Sequence, residues 1–208
     1  MLAPIELRDA ALRFDPDFVP AVERAALFVA LRDGITWETH VIRLFGRDIP
    51  SPRLSCWIGD PGTGYVYSGT QFEPHEWSPA LLDLRDRVAA ATGARFNSVL
   101  ANRYRDGRDS MGFHADDEPE LGREPVIASL SVGATRRFVL RHRTRKREHF
   151  ALDLNDGSLL VMAGATQRHW NHALPKTARP VGERINLTFR WITPREPQPK
   201  LRRRQESL

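Results

Sequence analysis

Cysteine is almost missing from this chain. A single one, Cys56, occurs in 208 residues, which excludes an intramolecular disulfide and any cysteine-rich zinc site. No apolar run is long enough to cross a bilayer, and the N-terminus has no signal-peptide pattern. The expectation is a soluble cytoplasmic protein with no membrane partner, nucleoid-associated if the source is bacterial. Internal repeats are also absent. Acidic residues are outnumbered, 26 against 31 Lys and Arg, and the formal charge of +5 suits an anionic partner. Much of the excess lies at 141–147 and 200–204. The second cluster is read as part of a solvated, disordered basic tail over 194–208.

The length suits one compact domain. Phe18, Val22, Ala25, Ala26 and Val29 recur at helical spacing after Asp15 and Pro16, and the pattern stops at Gly34. A second helix starts with Ser78 as N-cap and Pro79 at the first position. Leu81, Leu84, Val88 and Ala91 form its buried stripe, and Gly93 closes it. Residues 37–44 read as a strand. The turn chemistry of Asp60, Pro61, Gly62 and Gly64 predicts a hairpin of 53–58 with 65–67. From residue 94 short strands follow one another over 96–104, 111–116, 125–132, 136–141, 149–154, 158–162 and 184–192. Asn155, Asp156 and Gly157 read as a hairpin turn. Many strands without intervening helices predict a β-rich (α+β) fold with a closed two-sheet jelly roll and an active site inside it. Residues 1–93 form an N-terminal extension with helices, and 94–193 the catalytic core. A monomer is the default.

The chemistry is carried by His114 and Asp116, then His172, then the stretch from Arg184 to Arg190. Residues two apart on a strand share a face, so His114 and Asp116 offer an imidazole and a carboxylate to one point. His172 completes a 2-His-1-carboxylate set, which leaves positions open and suits non-haem Fe(II). A closed zinc site would need a fourth protein ligand. His169 is the only nearby spare, and its spacing from His172 points it the other way. Arg184, Asn186, Thr188 and Arg190 alternate with Ile185, Leu187 and Phe189. Two guanidinium forks on one face suit a small dicarboxylate. Iron beside a dicarboxylate points to a 2-oxoglutarate-dependent dioxygenase using O2. Arg190 is expected on the distal carboxylate, with Asn102 and Tyr104 beside it. Arg184 is placed near the metal, holding Asp116 or the adjoining carboxylate, with a structural ion pair as its plain alternative. Tyr65 and Tyr67, two apart, read either as a stacking platform for bases or as an ordinary packed strand. Phe45, beside Gly46 and ahead of Pro50 and Pro52, is a turn aromatic.

These segments resemble the AlkB family of nucleic-acid demethylases, particularly the branch of the second human homologue. The likeness runs through 97–107, 114–118, 127–134, 157–160, 169–175 and 184–190, in the family's order. The resemblance implies a double-stranded β-helix core and a nucleotide-recognition lid at about 37–70, with Arg53, Tyr65, Tyr67 and Ser68 in it. It implies that Phe45 is a finger filling the gap left by a flipped base and that Asp117 faces the lesion. It further implies oxidative demethylation of 1-methyladenine and 3-methylcytosine type bases in DNA, with release of formaldehyde, succinate and CO2. A finger favours duplex DNA; single strands, RNA and a protein substrate stay open. Loop residues 141–147 would contact phosphates rather than bases. A non-catalytic binding jelly roll would have lost a ligand or a clamp arginine, and none is lost.

Overall fold

Antiparallel pairing governs the architecture. The structure, a computed structural model, describes residues 1–44, 47–67 and 70–193, and their side chains except at 42–48 and 65–72. In chain order the main elements are β1 (Ala3–Ile5), β2 (Ala11–Asp15), α1 (Ala21–Gly34), β3 (Val41–Leu44), β4 (Arg47–Pro50) and β5 (Leu54–Gly59). Next come β6 (Tyr65–Tyr67), β7 (Thr70–Phe72), α2 (Pro79–Thr92), β8 (Ser98–Tyr104), β9 (Met111–His114), β10 (Ile127–Gly133) and β11 (Arg136–His142). The last are β12 (His149–Leu154), β13 (Leu159–Ala163), α3 (Thr166–His169), β14 (Trp170–Leu174) and β15 (Arg184–Arg190). A large sheet runs β1-β2-β13-β10-β15-β8-β5, a small one β12-β11-β14-β9, and β3-β4 and β6-β7 are separate ribbons.

The large sheet is covered on both faces. On one, Leu31 of α1 and Leu81, Leu84 and Val88 of α2 pack with Val99, Leu130, Val161, Ile185, Leu187 and Phe189. On the other, Ile127, Leu160 and Met162 meet Phe138, Leu140 and Leu154 of the small sheet. Each such side chain contributes about 1.5–3 kcal/mol by leaving water. This sandwich explains why all seven residues of β15 are buried. Its apolar row faces the helices and its polar row faces the space between the sheets.

Helix α2 follows its sequence signals. Ser78 Oγ accepts from Leu81 N at 3.3 Å, Pro79 opens the helix, and Gly93 ends it with φ 72°. Ala91, however, is exposed. Helix α1 departs further from expectation. It starts at Ala21, because residues 11–15 join the large sheet and Pro20 caps the helix with extended backbone. Val22 and Val29 are 92% and 47% exposed; Leu27, Phe28 and Leu31 take the core face instead.

Two expected hairpins are turns without hairpins. Strand β5 pairs with β8, and β6 with β7. Five of the six β5 residues are buried, a burial that the edge of the large sheet provides and a short ribbon does not. Likewise Asn155–Gly157 carries the chain from β12 in the small sheet to β13 in the large one. Gly157 is required there. Its φ is +76°, and an added Cβ would lie 2.5 Å from Arg24 Nε and 2.9 Å from Val19 O. Strands β1, β2 and β5 complete the large sheet, so the expected division at residue 93 is not a division of the sheet. The tail at 194–208 lies outside the described residues.

Candidate active site

The two sheets bring His114, Asp116 and His172 together. His114 closes β9 and lies opposite His172 on β14 in the strand register, with ring centroids 4.3 Å apart. Asp116 lies just past the end of β9. Its backbone N–H donates to Gln167 Oε1 at 2.9 Å, which fixes it where strand pairing no longer does. One ligand atom from each residue lies within 4.8 Å of the others. His114 Nδ1 is 3.0 Å from Gly112 O. A carbonyl only accepts, so Nδ1 carries the proton and Nε2 presents its lone pair to the cage.

Electrostatics put the ligands in their binding forms. Burial, helped by His114, holds the His172 imidazole down at about 3, so it is neutral. Burial pushes the Asp116 carboxyl up, but Arg190, His172 and His114 outweigh it and hold it at about 2. Among these Arg190 is the permanent cation. Asp116 Oδ2 is buried and accepts no hydrogen bond, an orphan that costs free energy unless a cation meets it. Neutral imidazoles, an ionised carboxylate and that orphan oxygen fit a divalent ion with open positions, as Fe(II) requires. His169 stays out of the cage. It ends the short helix α3, and its ring stacks on His142 at 5.8 Å. With Asp9 these two form a second possible cluster. There His142 Nδ1 accepts from Thr144 N and Arg145 N, so its proton is on Nε2 and no lone pair faces Asp9.

The sequence-based placing of the two arginines is reversed. Arg190 Nη2 donates to Asp116 Oδ1 at 2.7 Å, so Arg190, not Arg184, holds the metal-ligand end. Arg184 lies opposite Tyr104 in register, 5.3 Å from its ring, and donates to Ser131 Oγ at 2.9 Å. It is 2% exposed, and among the described residues no carboxylate comes within ion-pair distance of it. The plain alternative of a structural ion pair therefore fails. Burial pulls its guanidinium down to about 10. Its Nε, and Asn102 Nδ2 in the same polar band, have no hydrogen-bond partner. A buried cation with idle donors beside it is an anion site. Asn186 and Thr188 lie between the arginines and are tied to Ser129 Oγ and to each other. Tyr104, Arg184, Asn186, Thr188, Arg190 and the three ligands line one cavity, walled by Met111, Phe138, Leu154, Met162 and Leu174.

Other expected site residues fall elsewhere. Arg53 is buried, not on an exposed lid, and its Nε donates to Asn102 Oδ1 at 2.8 Å. It thereby fixes the Asn102 amide, whose Nδ2 is left without a hydrogen-bond partner. Asp117 is exposed and pairs with Arg143 at 2.8 Å, lining a neighbouring groove rather than the cage cavity. Tyr65 and Tyr67 occupy β6, in register with Phe72 and Thr70. Phe45 and Ser68 lie outside the described residues. Sequence reasoning gave no role to Ser129, Ser131, Gln167 or Arg136. The two serines had a signal, a period-two polar row inside the apolar β10. Gln167, in a four-residue helix, had none. Arg136, 3% exposed, donates to the carbonyls of Asp106, Asp109 and Pro175 and fixes the loop after β8.

Comparison with known proteins agrees with this geometry. The sequence profile of the 2OG-Fe(II) oxygenase superfamily matches residues 11–190. DNA oxidative demethylase ALKBH2 of Bos taurus is 44% identical over 160 residues, 74% of this chain and 58% of its own length. Alpha-ketoglutarate-dependent dioxygenase alkB homolog 3 of Rattus norvegicus is 40% identical over 188 residues, 86% of this chain and 63% of its own length. The chain thus spans about three-fifths of the length of these curated relatives. The solved structure of OsALKBH1 shares the fold, with a TM-score of 0.61 at 16% identity over 91% of this chain and 100% of that one.

Proposed function

The chain belongs to the 2OG-Fe(II) oxygenase superfamily, in its AlkB family, and from that premise we propose that it is an oxidative demethylase repairing N-alkylated bases in DNA. The observation that carries the reading is the His114, Asp116 and His172 cage sharing one cavity with a buried Arg184 that has no acid partner among the described residues. Bound in that cage with 2-oxoglutarate and O2, Fe(II) supplies oxidation of the alkyl carbon, giving succinate, CO2 and, from a methyl group, formaldehyde.

The chain's own residues do the positioning. Arg184, with Asn102 Nδ2 and Tyr104, takes the distal carboxylate of the co-substrate. Arg190 holds Asp116 ionised and pointed at the cage. Asn186 and Thr188 are held by their own hydrogen bonds and keep the cavity wall from collapsing. Substrate contact rests on different residues. Phe45, Tyr65, Tyr67, Ser68 and Asp117 are assigned to base extrusion and base recognition, and Arg53 to support of Asn102. A groove of about 610 Å³ whose lining includes Arg141, Lys146 and His149 supports backbone contact by these residues of the loop and strand around 141–149. We place the protein in the cytoplasm as a monomer acting on duplex DNA.

The test is formaldehyde and succinate release on matched methylated and unmethylated oligonucleotides, as DNA single strand, DNA duplex and RNA, with His114→Ala as control. Lesion-dependent formaldehyde that disappears in the variant is expected. Turnover of 2-oxoglutarate without lesion dependence would sink the repair assignment. Greater activity on RNA would move the substrate.

A further inference from the structure

Asp117, next to the ligand Asp116, is already engaged by a cation of the protein itself. Arg143, just past the end of β11, reaches it with Nη1 at 2.8 Å, and the same nitrogen donates to Gln167 O at 3.2 Å. Gln167 in turn holds the Asp116 backbone through its side chain. Arg143 N donates to His169 O at 2.8 Å, so the base of this side chain is anchored beside α3. Asp117, Arg143 and Gln167, with Arg123 and Arg168, line a groove of about 460 Å³. Arg168 is already paired with Glu124 at 2.9 Å, which leaves Arg143 as the guanidinium on Asp117.

We infer that Arg143 is a specificity residue, an internal cation that occupies Asp117 until a positively charged base displaces it. The inference rests on the demethylase reading above and deepens it. Both partners are half exposed, at 40% and 49%, so the pair is worth little and exchanges readily. The Gln167 carbonyl keeps one hydrogen bond on Arg143 after the carboxylate is given up. A cationic base brings its own charge and an exocyclic amine to Asp117, and replaces what Arg143 supplied. A neutral base of the same shape brings neither and leaves the Arg143 pair intact. The groove thus sorts bases by charge rather than by size.

The test is binding without turnover, using the full chain without 2-oxoglutarate. Oligonucleotides carrying 3-methylcytosine or 3-methyluracil present the same ring and methyl group, the first cationic with an amine and the second neutral with a carbonyl. Arg143→Gln is expected to tighten 3-methylcytosine binding about two- to five-fold, the range of a released exposed ion pair. It should not tighten 3-methyluracil. In an Asp117→Asn background the same change should have no effect on 3-methylcytosine, a coupling that a merely structural role would not produce. An equal effect of Arg143→Gln in both backgrounds, or equal weakening for both bases, marks a phosphate contact and overturns the inference. No change for either base also overturns it. If the wild type binds 3-methylcytosine no better than cytosine, the demethylase reading falls, and this inference with it.

Discussion

Replacing Arg184 with Met should make the protein more stable and useless. The guanidinium is 2% exposed and has no acid partner among the described residues. Burial brings it down from its ordinary value to about 10, a destabilisation of about 3 kcal/mol at ~1.4 kcal/mol per pH unit. The sign is fixed. The folded state binds this proton less tightly than the unfolded state does, so the cost is present in full below pH 10 and fades as the pH rises through 10. Met fills a similar length without charge. Loss of the hydrogen bond to Ser131 takes back about 1 kcal/mol, leaving a gain of about 2 kcal/mol. For a chain of this size that raises Tm by roughly 4–8 °C. The cost appears on co-substrate binding, where removing one side of a buried charge pair takes about 2–5 kcal/mol. That is roughly 30-fold to several-thousand-fold in affinity.

The assay is thermal unfolding of wild type and Arg184→Met, each with and without 2-oxoglutarate in the presence of Mn(II), with KM for 2-oxoglutarate alongside. Wild type should gain Tm with the co-substrate. The variant should start higher and gain nothing at the same concentration. A variant whose unliganded Tm falls by several degrees would show Arg184 to be a structural residue. A preserved 2-oxoglutarate shift would place the clamp elsewhere. Either outcome refutes the reasoning that an acid-free buried cation is kept for its ligand.

Arg53→Ala should raise KM for 2-oxoglutarate about ten-fold through the freed Asn102 amide, with KM for the oligonucleotide unchanged; the reverse pattern would return Arg53 to the lid. Cys56 is 1% exposed, and burial, then Glu38, pushes its thiol up to about 12, so a disulfide reagent at pH 8 should label it only at the rate of unfolding. Leu84→Ala, at a site 1% exposed, should cost about 2–5 kcal/mol in urea unfolding while the folded fraction keeps its kcat. Metal-free protein should lose stability as pH falls from about 6.5, because His172 is held neutral down to about 3 while the unfolded imidazole takes up a proton. The slope from this group is at most ~1.4 kcal/mol per pH unit, and urea midpoints for His172→Asn should show it flattened.

Much of the site was legible from spacing. The alternation from Arg184 to Arg190 correctly separated a polar from an apolar face, and both faces proved buried because two different cores lie on the two sides of β15. His114, Asp116 and His172 converge as their spacing suggested, although Asp116 is held by Gln167 rather than by strand pairing. Local turn chemistry was less informative. The residues around Gly62 and Gly157 do turn, but which strand the chain pairs with afterwards depends on long-range partners that no short window contains. Strand β14 escaped because its inward positions mix Trp170 and Leu174 with the polar His172, which breaks the apolar alternation. Strand β2 escaped because Pro16 and the helical spacing beyond it drew the helix start too early.

The exchange of Arg184 and Arg190 has the same origin, and shows what periodicity lacks. A period of two assigns a face, but it does not say which end of the strand meets the metal. That end is set by β9 and β14, which belong to the other sheet. The two arginines are six residues apart, about 20 Å along an extended strand, so neither can do the other's work. Asp116 meets Arg190, opposite Ser98 in the register of β15 with β8. Arg184 is left at the far end, opposite Tyr104, where it donates to the neutral Ser131 hydroxyl and, among the described residues, has no carboxylate as ion-pair partner. On the proposed function, the carboxylate at that end is the one a dicarboxylate co-substrate brings. The order cage, Arg190, Arg184 thus follows from strand pairing, and on that proposal the same pairing gives the co-substrate its direction.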